Sequence, residues 1–229
     1  MPQKNTPNSH PQREPERKLG RDKERPIPRL RLRDLAIDTV ELAKFLIGKS
    51  LVHDVARGRL AGRIVETEAY LVGDAAAHSF RGMTSRNKSL FLERGHAYVY
   101  FCYGNHFMLN VSGGEEGIGS GVLIRAVEPF EGVELMKRAR RTDRLLDLAR
   151  GPGNVAAAFR VNRQQDGLSL VDGKGSLWLG AAVRRGGLIG ESIRIGITKD
   201  AHRMLRFYEI DNPYVSGPKR LNTYVAPER

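Results

Sequence analysis

Cysteine occurs once in the 229 residues, at Cys102. That excludes an internal disulfide and a zinc site of clustered cysteines, and it suits a reducing compartment. Long apolar runs are missing too. No stretch reaches the ~18 apolar residues a membrane-spanning helix needs, and the N-terminus has no apolar signal core. The expectation is a soluble, intracellular protein with no membrane partner. The six histidines form no H-E-x-x-H or comparable ligand spacing, so neither a metal nor another cofactor is expected. Acidic residues are in deficit, with 26 Asp and Glu against 38 Lys and Arg and a formal net charge of +12. Such an excess favours a polyanionic partner, nucleic acid ahead of an anionic membrane surface. The Gly113 to Gly121 stretch is too acidic and irregular to cradle phosphates, which removes a nucleotide-binding reading.

What is present divides into a tail and one domain. Residues 1–30 hold six of the eleven prolines and almost no apolar side chains, too little hydrophobic surface to offset the entropy of ordering a backbone. A disordered, basic, proline-rich tail is expected there, with a single domain over 31–229. Through Arg29 the tail supplies +4 of the net charge and leaves +8 on the rest, so the basic character belongs to the domain itself. Val40, Leu42, Ala43, Leu46 and Ile47 recur at helical spacing and predict a helix over Asp38 to Ile47, with Asp38 or Thr39 as cap. Alternation predicts strands over Ser50 to Val55, Gly62 to Leu71, Val122 to Pro129, Leu177 to Leu179, Ile193 to Ile197 and Leu205 to Ile210. A basic amphipathic helix is expected over Glu131 to Arg141, and another is opened by Arg150-Gly-Pro-Gly153 with Asn154 as cap. Residues 72–96 read as a loop with a short helical turn at Lys88 to Leu92.

Within this pattern one stretch stands out, Tyr98-Val-Tyr-Phe-Cys-Tyr-Gly-Asn-His-Phe-Met-Leu-Asn110. Two aromatic-rich runs joined at Gly104-Asn105 read as a β-hairpin. Alternation puts Tyr98 and Tyr100 on one face and Val99, Phe101 and Tyr103 on the other, with Tyr103 at the tip. An aromatic at a tip suits a wedge for stacking on bases; folding back onto its own hairpin is the plainer alternative. In the Gly62 to Leu71 strand, Ile64, Glu66, Glu68 and Tyr70 share a face, and the two carboxylates lie ~7 Å apart by strand rise. Half-burial of that face would raise the pKa of at least one of them, which suits general-base work. Two surface glutamates paired with basic neighbours satisfy the same spacing. Arg125 sits within an otherwise apolar strand and needs an anionic partner, for which Glu66 or Glu68 is available. His78, alone in its loop, reads as a surface residue.

Gly62-Arg-Ile-Val-Glu-Thr-Glu-Ala-Tyr-Leu71, Ala77-His78, Tyr98 to Gly104, Leu123-Ile-Arg-Ala-Val-Glu-Pro129, Arg150-Gly-Pro-Gly153 and Leu205-Arg-Phe-Tyr208 together resemble the alkyladenine (3-methyladenine) DNA glycosylase family. The match runs in unbroken order from about Leu35 to Val215. The resemblance implies an α+β domain, a curved and mainly antiparallel sheet with flanking helices and a protruding β-hairpin. It implies a monofunctional, cofactor-free glycosylase that acts on double-stranded DNA with alkylated or deaminated purines and leaves an abasic site; a monomer is expected. On this resemblance, Tyr103 would intercalate through the minor groove and fill the gap left by an extruded nucleotide. Tyr70, His78 and Tyr100 would stack on the flipped base, whose ring alkylation makes cationic. Asn110 would exclude guanine. Glu68 would activate water, with Arg125 and the Ile195 carbonyl holding that water. The loop between Tyr70 and His78 is shorter than in animal members, and Asn105-His106 replaces an apolar–aromatic pair; both touch the DNA-facing rim. A non-catalytic nucleic-acid-binding module remains open, with Glu66 and Glu68 as structural partners of Arg125.

Overall fold

Asp38 caps the first helix by accepting the Val40 and Glu41 amides at 2.8 and 3.0 Å, and α1 (Thr39–Leu46) buries Leu42, Ala43 and Leu46. This is the opening of a computed structural model that describes residues 26–222 apart from 103, 105 and 174. Most of the expected tail, residues 1–25, lies outside the described residues. At its end Arg29 bridges to Gly180 and the Leu30 amide donates to the Leu179 carbonyl at 2.9 Å.

β1 (Ser50–Val55) and β2 (Gly58–Tyr70) follow as an antiparallel hairpin. β3 (Ala97–Cys102) and β4 (His106–Ser112) form a second hairpin, and β5 (Gly121–Glu131) pairs with both β4 and β2. β6 (Leu177–Gly180) closes the far edge against β1, giving the order β3-β4-β5-β2-β1-β6. β1 leaves β2 at Arg63, and the freed edge is taken by β8 (Arg206–Glu209), which also carries β7 (Ile189–Ser192). Among the described residues the result is one α+β domain, a curled half-barrel of eight antiparallel strands. Besides α1, its helices are α2 (Val133–Arg140) and α3 (Pro152–Ala158). No described helix is long and apolar enough to cross a membrane.

An antiparallel sheet can pack one face and leave the other open. Here the packed face carries Leu51, Ile64, Ala69, Val99, Leu109, Val111, Val122, Ile124 and Val127, in one cluster with α1 and α3. The other face keeps its polar side chains and builds the site.

Three local expectations are corrected. Ile64 does not share a face with Glu66 and Glu68. The β2–β5 register shifts on either side of Glu66, adding Val65 to β2 and Arg125 to β5. Paired bulges of this kind turn two consecutive residues of each strand to one side, so Ile64 joins the main core while Val65 and Ala126 join a separate cluster with Tyr208 and Val215. Asn154 is not a cap; Gly151 occupies that position, and Asn154 donates to the Arg150 carbonyl at 2.8 Å. The strand expected over Ile193 to Ile197 lies at β7 instead, where Ile189–Ser192 pair with the edge of β8.

Gly132 is where β5 stops and α2 begins, at φ +71°, and a Cβ placed there would lie 2.2 Å from the Arg59 carbonyl oxygen. Strain and a backbone clash act together, so Gly132→Ala is expected to cost about 2–4 kcal/mol. Thermal melts check this; a loss within ~0.5 kcal/mol, the usual range for surface substitutions, would contradict the close approach.

Candidate active site

Period-two alternation on the open face brings the site together. Tyr70 comes from β2, Tyr98, Tyr100 and Cys102 from β3, Met108 and Asn110 from β4, and Leu123 and Arg125 from β5. They line a cavity of about 300 Å³ closed by the loop bearing His78 and by Ile195 to Ile197, a size at the lower end for small-ligand pockets. His78 meets the Tyr100 ring edge-on with centroids 4.4 Å apart, and Tyr98 stacks on Tyr100 at 5.3 Å. His78 Nδ1 and the Tyr98 hydroxyl are 2.9 Å apart. Burial lowers the His78 pKa, with Arg86 adding to the shift, so the ring is neutral at pH 7. Burial pushes the Tyr98 hydroxyl up to about 12. Asn110 is held from behind, donating Nδ2 to the Tyr98 carbonyl at 3.2 Å.

Glu68 lies one layer beneath the cavity wall, its side chain fully enclosed. Its Oε2 accepts the Tyr70 hydroxyl at 2.9 Å, and its Oε1 accepts the Ile195 amide at 2.8 Å and faces Arg125 Nη1 at 3.3 Å. Ile195 thus contacts Glu68 through its N–H. All three partners line the cavity. Arg125 divides itself between both glutamates, placing Nε 2.9 Å from Glu66 Oε1.

The two buried glutamates titrate apart. Burial raises the Glu68 pKa above the ordinary carboxylate range; Arg125, the Ile195 amide and the Tyr70 hydroxyl offset this only in part, and Glu66 adds to it. Burial acts on Glu66 in the same direction, but Arg125, Arg206 and the Ser216 amide outweigh it and hold Glu66 below its usual value. Paired carboxylates pushed in opposite directions can serve different roles, one a fixed charge and the other a proton acceptor or donor. Among the described residues no cluster of three or more His, Cys, Asp or Glu side chains is placed to hold a metal.

The structure thus brings Tyr70, His78, Tyr100, Asn110, Arg125 and Ile195 to one cavity with Glu68 directly behind it. Tyr103 lies outside the described residues. Three participants were missed. Tyr98 is part of the wall, and its shared face with Tyr100 already pointed there. Arg206 is the one arginine in a short strand beside Leu205, Phe207 and Tyr208, a signal close to the one that singled out Arg125. Arg194 gave no local signal; its guanidinium lies 4.6 Å over the Tyr70 ring, and it forms a fully buried pair with Asp74, 120 residues away in sequence.

A profile of the family described as Methylpurine-DNA glycosylase (MPG) matches residues 33–213. The class is that of DNA glycosylases, with DNA as substrate. The chain belongs to the methylpurine-DNA glycosylase family. It is similar to a protein of Mesorhizobium japonicum, 60% identical over 196 residues that cover 86% of this chain and 92% of the relative. A protein of Paraburkholderia phytofirmans is 49% identical with the same coverage of 86% and 92%. One of Methanoculleus marisnigri is 48% identical over 183 residues, 78% of this chain and 94% of the relative. All three carry the name "Putative 3-methyladenine DNA glycosylase".

Proposed function

We propose that the protein is a monofunctional DNA glycosylase that extrudes alkylated purines of the 3-methyladenine type from duplex DNA and hydrolyses the N-glycosidic bond, leaving an abasic site. The observation that carries this reading is the enclosed Glu68 carboxylate, bonded to Tyr70, Ile195 and Arg125 behind an aromatic cavity. Tyr70, His78, Tyr98 and Tyr100 supply faces and edges for a flat purine, and a ring made cationic by alkylation gains from the aromatic quadrupoles. Asn110, fixed by its bond to Tyr98, crowds the exocyclic amine of guanine.

In the reaction, the C1′–N bond breaks and its electron pair goes to the purine nitrogen, which discharges an alkylated cationic ring. The sugar becomes oxocarbenium-like. A water oxygen bonds to C1′, and its proton passes to Glu68. Arg125 orients Glu68 and the water. Among the described residues no lysine lines the cavity, which supports base loss without strand cleavage. The protein acts as an intracellular monomer.

The test is incubation with methylated duplex DNA in EDTA. Free 3-methyladenine should appear together with alkali-sensitive but uncut strands. Tight DNA binding with no free base at any enzyme excess would mean a binding module instead. Tyr103 is assigned the wedge that offsets part of the unstacking cost of a few kcal/mol. Tyr103→Ser is accordingly expected to weaken binding to lesion-bearing duplex while leaving the melting temperature nearly unchanged, as measured by titration and thermal melts. A large drop in melting temperature would show instead that the ring packs against its own hairpin.

A further inference from the structure

Among the described residues Arg206 is one of the largest fully buried side chains, and it does not line the cavity. A buried guanidinium is tolerated only when its charge and its five N–H groups find partners. Nε donates to Glu66 Oε1 at 2.7 Å. Nη1 donates to Ser192 Oγ at 2.8 Å and to the Leu221 carbonyl at 3.0 Å. Nη2 donates to the Ser216 carbonyl at 3.0 Å and to Asn222 Oδ1 at 2.7 Å. Every donor is used, so the group is fixed in both place and orientation.

That position matters because of what Glu66 does next. Its Oε1 accepts from Arg206 and Arg125 together, and its Oε2 accepts the Ser216 amide at 2.6 Å. The chain of contacts runs Arg206, Glu66, Arg125, Glu68, with charges alternating in sign. We infer that Arg206 is a positioning residue for the reaction: by holding Glu66 from the far side, it leaves Arg125 able to offer Nη1 to Glu68 while Nη2 donates to Ser216 Oγ at 3.4 Å. The inference rests on the proposed role of Glu68 as the base.

Without Arg206, Glu66 has Arg125 as its one guanidinium partner. Arg125 is drawn toward it, Glu66 stands less compensated beside Glu68, and Glu68 binds its proton more tightly. The groups facing Glu68 are Tyr70 and Glu66 of β2, Arg125 of β5 and the Ile195 amide, with Arg194 acting on Tyr70. None of these can replace the lost charge.

The experiment is single-turnover base release from methylated duplex DNA between pH 5 and 9, with melting temperatures measured alongside. Arg206→Met should move the acid limb of the profile to higher pH, so that the rate at pH 6, normalised to the plateau, falls about tenfold. Arg206→Lys keeps the charge and should leave the limb in place while lowering the melting temperature. Glu66→Gln removes the repelling charge and should move the limb the opposite way, to lower pH, which keeps the inference testable if Arg206→Met does not fold. A limb that stays at the wild-type pH in Arg206→Met or in Glu66→Gln overturns the inference and leaves Arg206 a purely structural residue. Absence of base release by the wild-type protein, or full activity of Glu68→Gln, instead overturns the assignment of Glu68.

Discussion

Replacing Glu68 by glutamine is expected to keep duplex binding within a few-fold of the native protein while single-turnover base release falls by about 10²–10⁴-fold, the usual contribution of a positioned general base. Glutamine preserves the shape: its one oxygen can still accept the Ile195 amide, which bonds the carboxylate at 2.8 Å, and its amide nitrogen can donate to the Tyr70 hydroxyl oxygen, which now donates to the carboxylate at 2.9 Å. What it lacks is a place for the water's proton. Loss of binding with unimpaired chemistry would refute the assignment. The same substitution has a stability signature whose sign follows from the raised Glu68 pKa. A carboxyl that holds its proton more tightly when folded costs nothing below its unfolded pKa, where both states are protonated. It destabilises the protein as pH rises from that value through the folded one. Glu68→Gln should therefore melt higher than the native protein at pH 8, with the gain vanishing near pH 4. Melting curves at both values check this.

Asp74→Ala is expected to be the most damaging single change to stability outside the main core, by about 3–5 kcal/mol, because it strands a buried cation without its counter-ion. Both side chains of the Asp74–Arg194 pair are fully enclosed. Burial works to raise the Asp74 pKa, but Arg194 and the Ala76 amide outweigh it and keep the group ionised. At about 2–4 °C per kcal/mol for a chain of this size, the fall in melting temperature is easily measured. A cost under ~1 kcal/mol would contradict the burial. The pair also ties the loop that carries His78 to the segment that carries Ile195, since Arg194 donates to the Ala69 carbonyl at 3.0 Å and Asp74 accepts the Ala76 amide at 3.0 Å. Base release should fall with stability, because two walls of the cavity lose their common anchor.

Strict alternation made much of this legible in the sequence. The period-two pattern in β2 put Glu66, Glu68 and Tyr70 on one face, and that in β3 put Tyr98 beside Tyr100, as the packed rings bear out. The one arginine of β5, flanked by Ile124 and Ala126, called for a carboxylate, and Arg125 found two. Alternation failed at Ile64, since a bulge adds one residue without changing composition and no local pattern announces it. The strand expected at Ile193 moved to Ile189–Ser192 because β8 offers an edge there, a tertiary circumstance. His78 read as a surface residue by itself, and only the family resemblance brought it to the site, where it packs against Tyr98 and Tyr100. Asp74 and Arg194 are 120 residues apart and are joined as a buried ion pair by the tertiary fold alone, which sequence spacing does not encode.

The pH dependence of single-turnover base release tests the role of Glu68 most directly. The wild-type rate should rise through one ionisation lying above the ordinary carboxylate range, and the residual rate of Glu68→Gln should lack that limb. An identical limb in both proteins, or a flat wild-type profile across the carboxylate range and above it, would contradict a buried glutamate acting as the proton acceptor.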